Sequence, residues 1–247
     1  MTTIGRYETA GIVPPLPAEA DAAPLPGRQD AGERLTDAVL APPLFLFALP
    51  LMLLAMTLVK LTSRGPVIYT QTRVGRHGRP FTIYKIRTMR HDCERLTGAV
   101  WSSRNDQRVI PVGRILRDTH LDELPQLWNV LRGDMSLVGP RPERPEFTAQ
   151  LGQAIPRYTD RLQIRPGVTG LAQLQLAPDT DLDSVRRKLA CDLYYVRSRT
   201  VWLDVRIILG TCLAVVGVPF GVTRTVLRIP TVAAADGAAA GVPEACS

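Results

Sequence analysis

Residues 119–142, THLDELPQLWNVLRGDMSLVGPRP, set two adjacent acids, Asp122 and Glu123, at the start of an apolar-periodic run. The run stops at Gly133, and the chain then reaches Gly139-Pro140-Arg141-Pro142. The pattern predicts a helix over 122–132 with both acids in its first turn. Thr119 three residues before Asp122 fits a capping box, and a helix dipole stabilises acids at its start, so the pair has a purely structural reading. The other reading is chemical. Near a helix end two neighbouring carboxylates can face one ligand, although farther along a helix they diverge by roughly 100°. Arg141 stands between two prolines that fix φ, so its backbone has little freedom.

Working outward, the same design recurs at Arg165-Pro166-Gly167-Val168-Thr169-Gly170, an arginine beside a constrained turn. Upstream, PVIYTQTRVGRHGRPFTIYKIRTM reads as two β-rich runs, 67–73 and 81–87, joined by a Gly-containing turn. Lys85 and Arg87 are two apart and so are expected on one face of a strand. Helices are expected over 143–155 and 183–199, and 203–216 reads as helical and apolar. These acids and fixed cations together describe a site with carboxylates for a metal or a nucleophilic role and cations for phosphate oxygens. Taken singly, each is an ordinary turn or a solvated face.

Residues 38–59 carry no charge over 22 positions, roughly 33 Å as a helix and enough to cross a bilayer core. Pro42, Pro43 and Pro50 interrupt this run. Three shapes compete: a kinked spanning helix, a re-entrant helix-break-helix that leaves on the face it entered, and a buried core helix. Residues 1–37 hold three Arg against six acids. A spanning helix would therefore put the N-terminus outside, whereas a re-entrant one keeps both ends in the cytoplasm. The uncharged run 207–223 contains Gly210, Gly217, Pro219 and Gly221 and suits the membrane interface. The expected organisation is a disordered leader over 1–33, a re-entrant membrane helix over 34–60, a catalytic domain over 61–224 with a C-terminal interfacial helix, and a disordered tail over 225–247. The expected fold class is α+β, mostly helical: a monotopic membrane protein with an N-terminal re-entrant helix-break-helix and a small β-hairpin.

The chain has 247 residues, 45% of them hydrophobic, and a formal charge of +7; 27 of its 30 basic residues are arginine. That balance points to anionic partners, and arginine suits bidentate phosphate binding, although GC-rich codon usage gives the same bias. Between Lys60 and Arg144 there are 16 basic residues against 8 acids. A basic surface there serves either anionic lipid headgroups or a phosphate-rich substrate. Cys93, Cys191, Cys212 and Cys246 form no C-x-x-C pair and do not cluster with the histidines, which argues against a zinc site or a disulfide framework. Aromatics are 6% and are not interleaved with the basic residues, so a nucleic-acid partner is not expected. Two function classes remain: an enzyme acting on a phosphate-rich substrate, and a membrane-anchored protein that binds anionic lipid or nucleic acid. Only the first gives an acidic pair beside fixed cations a purpose.

Four ordered motifs, LTSRGPVIYTQTRVGRHGRPFTIYKIRTM, VGRILRDTHLDELPQLWNVLRGDMSLVGPRP, RPGVTG and DLYYVRSRTVWLDVRIIL, resemble the bacterial sugar transferase family over roughly residues 33–216. These are monotopic polyprenyl-phosphate phosphoglycosyl transferases, here in what resembles the minimal catalytic form. The resemblance implies transfer of a sugar-1-phosphate from a nucleotide diphosphate sugar, usually a UDP-sugar, to undecaprenyl phosphate. The step initiates capsule, exopolysaccharide or O-antigen synthesis at the cytoplasmic face of the bacterial inner membrane. It implies Mg²⁺ as cofactor, Asp122 as nucleophile and Glu123 as its partner at the metal. Lys85, Arg87, Arg117, Arg141 and Arg165 would bind phosphate, with Asp192 as a further metal ligand. A homodimer is left open. The family's Ser-Pro break in the membrane segment is here Leu49-Pro50. Its usual Trp-Ala-Gln-Val-Asn-Gly-Arg is here Leu171-Ala172-Gln173-Leu174-Gln175-Leu176-Ala177, a departure that bears on sugar preference.

Overall fold

The computed structural model describes residues 27–91, 93, 106–179 and 181–231. The leader up to residue 26 and the tail from residue 232 lie outside them. The first helix, α1 (Gly27–Thr62), begins inside the stretch expected as leader and stays helical through Pro42, Pro43 and Pro50, so the break expected of a re-entrant segment does not appear in it. Its stretch Leu35–Thr62 is the one helix among the described residues long and apolar enough to cross a membrane.

The burial pattern of α1 says how it sits. Asp37, Ala41, Ala48, Met52, Ala55 and Val59 are buried. Their spacings of three, four and seven follow the 3.6-residue repeat, so they form one stripe. Small side chains in that stripe let the helix backbone lie close to the rest of the protein. Elsewhere on α1, Leu46, Phe47, Leu53, Leu54 and Leu61 are more than half exposed. The helix is therefore apolar all round but covered by protein on one side only. Near its N-terminal end Asp37 accepts hydrogen bonds from Ser136 Oγ at 3.0 Å and from the Leu137 amide at 2.8 Å.

After α1 comes an antiparallel hairpin, β1 (Ile68–Val74) and β2 (Pro80–Ile86), paired from Ile68↔Ile86 to Val74↔Pro80. Helix α2 (Pro111–Asp118) leads into a 3-10 turn at Leu121–Glu123, then α3 (Gln126–Arg132) and β3 (Ser136–Val138). Helix α4 (Pro145–Ala154) and a 3-10 segment, Tyr158–Gln163, precede β4 (Gly167–Thr169). The chain finishes with α5 (Leu171–Gln175), α6 (Leu182–Ser198), α7 (Val201–Val215) and α8 (Phe220–Leu227). Helix α8 runs into the stretch expected as tail. The expected hairpin and the helices at 143–155, 183–199 and 203–216 all have counterparts, so the mostly helical reading holds. The main core packs the α1 stripe (Ala41, Ala48, Met52) against Leu127 and Val130 of α3, Leu137 of β3 and Ile207 of α7.

Strands β3 and β4 pair in parallel, Ser136↔Gly167 and Val138↔Thr169. Their ends carry the two arginine turns, so the pairing brings these together by backbone contact. A Cβ on Gly167 would collide with the backbone of Gly139 and Thr169, and one on Gly139 with the backbone around Arg165 and Gly167. Only glycine permits this approach.

Gly167→Ala is expected to cost about 3 kcal/mol or more, because backbone on both sides leaves nothing that can yield. Gly152→Ala, inside α4 with only a methyl at 3.6 Å, should be neutral or stabilising. Thermal unfolding of both variants in detergent checks the contrast.

Candidate active site

The dyad does not start a helix. Thr119 closes α2, and its hydroxyl donates back to the Ile115 carbonyl at 2.7 Å, so no capping box forms at Asp122. His120 then adopts a left-handed conformation (φ 57°), and Leu121–Glu123 make the 3-10 turn. Pro125 holds off α3 until Gln126. That helix has seven residues and ends at left-handed Gly133, so its dipole is small and lies beyond the acids. The field at the dyad comes from side chains.

Glu123 is gripped from two directions. Lys85 Nζ of β2 lies 2.7 Å from Oε1. Arg141 donates through both terminal nitrogens, to Oε1 at 2.6 Å and to Oε2 at 3.3 Å. Burial works against the charge on Glu123, but Arg141 and Lys85 hold its carboxyl well below the usual range. Lys85 is itself pushed down by burial, with Glu123 opposing, while Glu123 drives Arg141 upward against burial.

Asp122 is the opposite case. It is buried, and its side chain takes no hydrogen bond and makes no ion pair among the described residues. Burial, then the neighbouring Glu123, raise its carboxyl to about 6, against the pull of Lys85, Arg117 and Arg141. Two adjacent acids thus differ in availability. One is locked into an ion cluster, and the other has no such partner among the described residues.

The loop that carries Arg141 is held at every carbonyl. Gly167 N donates to Pro140 O at 2.9 Å, and Arg161 to Arg141 O at 2.9 Å. Arg73 donates to Pro142 O at 3.2 Å, and Val74 N to Glu143 O at 2.9 Å. The proline constraint seen in the sequence is therefore only part of what fixes this arginine. Asn129, fully buried in α3, ties the other side: its Nδ2 donates to Thr82 O at 2.7 Å and its Oδ1 accepts from Tyr84 N at 3.2 Å. It pins β2, and so Lys85, to the helix that follows the dyad. Arg73, Arg161 and Asn129 are absent from the sequence-derived site. The signal for Asn129 was a single amide inside the apolar run Leu127–Leu131.

Other expected residues stand elsewhere. Arg87 lies past the end of β2 and donates to the Ser63 and Arg64 carbonyls behind α1, so it does not act with Lys85 on one strand face. Arg165 faces Asp37 of α1 at 3.9 Å. Asp192 is buried in an ion pair with Arg161 at 2.7 Å. Arg117 is nearer: its Nε donates to Thr88 Oγ1, and its charge is felt by Asp122. Among the described residues no three of His, Cys, Asp and Glu gather closely enough to hold a metal ion, so the structure does not bring Asp192 to the dyad as a third ligand. Mg²⁺ needs less, since one or two carboxylates and substrate phosphates suffice. Asp122, lacking a donor of its own, fits that requirement, and Glu123 is within one residue of it.

The model of the bacterial sugar transferase family matches residues 28–218. A UDP-N-acetylgalactosamine-undecaprenyl-phosphate N-acetylgalactosaminephosphotransferase of Aeromonas hydrophila is 45% identical over 180 residues, 73% of this chain and 42% of the relative. A UDP-glucose:undecaprenyl-phosphate glucose-1-phosphate transferase of Caulobacter vibrioides is 46% identical over 184 residues, 74% of this chain and 68% of the relative. The exopolysaccharide production protein PSS of Rhizobium leguminosarum bv. phaseoli is 43% identical over 167 residues, 66% of this chain and 84% of the relative. The chain thus spans less than half of the first of these and most of the third.

The two acids predict opposite responses. A carboxyl raised from 3.8 to about 6 loses stability as pH climbs between those values. Asp122→Asn should therefore stabilise the protein by up to about 3 kcal/mol at pH 8 and by little near pH 4. Glu123 is depressed, so its contribution is full above its unfolded value. Glu123→Gln should destabilise across pH 5–8, on the order of 2 kcal/mol, a figure reduced because solvent reaches Arg141. Thermal midpoints of both variants against pH test the signs.

Proposed function

The chain belongs to the bacterial sugar transferase family, and on that premise we propose that it moves a sugar-1-phosphate from a UDP-sugar to undecaprenyl phosphate. The step releases UMP and opens the synthesis of an exopolysaccharide, capsule or O-antigen. The names of the Aeromonas and Caulobacter relatives support the substrate classes. The observation that carries the reading is an unpaired carboxylate, Asp122, beside an acid that two cations keep ionised.

The mechanism is double displacement. An Asp122 oxygen attacks the β-phosphorus of the donor, and the bond from that phosphorus to the UMP oxygen breaks. A phosphate oxygen of the lipid then attacks the same phosphorus. The aspartyl bond breaks, which frees Asp122 and leaves a lipid diphosphosugar. Each step joins an anion to an anionic phosphorus centre, so charge neutralisation governs the barrier. Arg141 and Lys85, pre-oriented on Glu123, supply it without reorganising. Mg²⁺, when bound at Asp122 and the donor phosphates, would screen charge and polarise the phosphoryl oxygens. A carboxyl near 6 is mostly ionised at pH 7 to 8 and more basic than an ordinary aspartate, which suits a nucleophile.

The anchor reading is monotopic at the cytoplasmic face. The stripe from Asp37 to Val59 lies against the catalytic domain along the whole apolar run. A helix docked lengthwise in this way is held to the catalytic domain along its length, which favours an anchor lying in one face of the bilayer over a helix that crosses it alone. Its outer leucines and Phe47, with Trp202 of α7 and Val226 of α8, offer an apolar surface to one leaflet.

With a donor labelled in its sugar, wild-type protein should retain covalent label and Asp122→Asn should retain none; undiminished turnover in Asp122→Asn refutes the nucleophile. In the wild type, kcat/KM should fall below about pH 6 as Asp122 takes up a proton. Tags at both ends should resist external protease in intact spheroplasts, and cleavage of an N-terminal tag would favour a spanning α1.

A further inference from the structure

Arg141 borders a second space besides the dyad, a cleft that is partly open to solvent. Its charged lining is balanced: Arg141, Arg161 and Lys188 stand against Glu143, Asp179 and Asp192. The Arg161–Asp192 pair is deeply buried, and Arg161 is further engaged by the Tyr158 hydroxyl and the Arg141 carbonyl. The Lys188–Asp179 pair, at 3.0 Å, is closer to solvent, with about a fifth of each side chain exposed. An aliphatic wall of Leu151, Val185 and Leu189 completes the cleft.

This chemistry selects among the parts of the reactants. A phosphate needs a net positive lining, which the cleft lacks and the Lys85–Arg141 region has. A nucleobase binds best against an accessible ring. The aromatic residue in the lining, Tyr158, is 2% exposed, with its hydroxyl already held by Arg161. A sugar ring matches both surfaces. Its hydroxyls each donate and accept, so a carboxylate beside an ammonium can read two neighbouring ones, and its C–H face lies well on aliphatic side chains. In the donor that ring hangs directly from the β-phosphate, the group that Asp122 and Arg141 would meet. Ala172 and Gln173 also line the cleft; they keep the Ala-Gln of the family's usual motif and follow Leu171, which stands where that motif has Trp.

We propose that the cleft beside Arg141 is the subsite for the donor's sugar ring, and that Asp179 and Lys188 read its hydroxyls and set sugar preference. The proposal rests on the sugar-phosphate transfer reading above.

The test uses the full chain in nanodiscs with undecaprenyl phosphate, Mg²⁺ and four donors: UDP-glucose, UDP-galactose, UDP-N-acetylglucosamine and UDP-N-acetylgalactosamine. Asp179→Asn and Lys188→Gln are compared with wild type by kcat/KM for each donor and by the inhibition constant of UMP, which carries no sugar. We expect each variant to change the ratio of kcat/KM between epimeric donors by about tenfold or more, as for other hydrogen-bonded specificity sites. UMP inhibition should move by less than about twofold. If donor ratios stay fixed in both variants, the assignment is wrong. If UMP inhibition weakens in step with kcat/KM for every donor, the cleft holds the nucleoside and the assignment is again wrong. No UMP release from any donor by wild type would instead overturn the transfer reading, and this inference with it.

Discussion

The structure depends on one carboxylate shared by two cations. Glu123 draws Lys85 from the hairpin and Arg141 from the loop after β3 onto a single turn of backbone. Burying any of the three charges alone would be prohibitive, and together they offset one another. The cluster also decides what its neighbour can do. With the nearby positive charge committed to Glu123, Asp122 has no partner of its own, and burial, then the negative charge beside it, pushes its proton affinity up. Two identical functional groups, one residue apart, are thus driven to different protonation behaviour by position alone.

Rigidity is supplied by main-chain acceptors more than by side-chain packing. The four carbonyls from Pro140 to Glu143 are taken up by groups from β4, the 3-10 segment before it, and β1. A loop fixed in this manner presents its arginine without the entropy of searching for a pose. Fixed dipoles and charges of this kind lower a charge-limited barrier most effectively. The glycines at 139 and 167 are the geometric condition for it, since any side chain there would part the strands.

Much of this was legible in the sequence, and the limits are physical. The hairpin announces itself through β-rich runs around a Gly-containing turn, and the helices through apolar spacing. The acid pair and the Pro-Arg-Pro turn are local and stand out. Strands of three residues, such as β3 and β4, carry no periodicity that could be read. The capping pattern at Thr119 misled because the hydroxyl found a nearer carbonyl one turn back. The cations differ for a related reason. Lys85 and Arg141 reach the dyad, while Arg87 serves the end of α1 and Arg165 faces Asp37, and spacing along a chain does not distinguish a guanidinium aimed at a ligand from one aimed at a helix end. Asp192 paired with Arg161 shows the same limit for acids.

The contact made by Asp37 reaches beyond the anchor itself. A carboxylate on the apolar helix receives the amide of Leu137 and the hydroxyl of Ser136, two residues from the strand that leads into the arginine loop. Helix α1 and the body that carries the dyad therefore share a polar seam, and the helix is not a module that can be traded for another hydrophobic segment of equal length. A graft that matched every leucine but left out this one acid would strand a main-chain donor in the interior, and the damage would surface at the loop that carries Arg141.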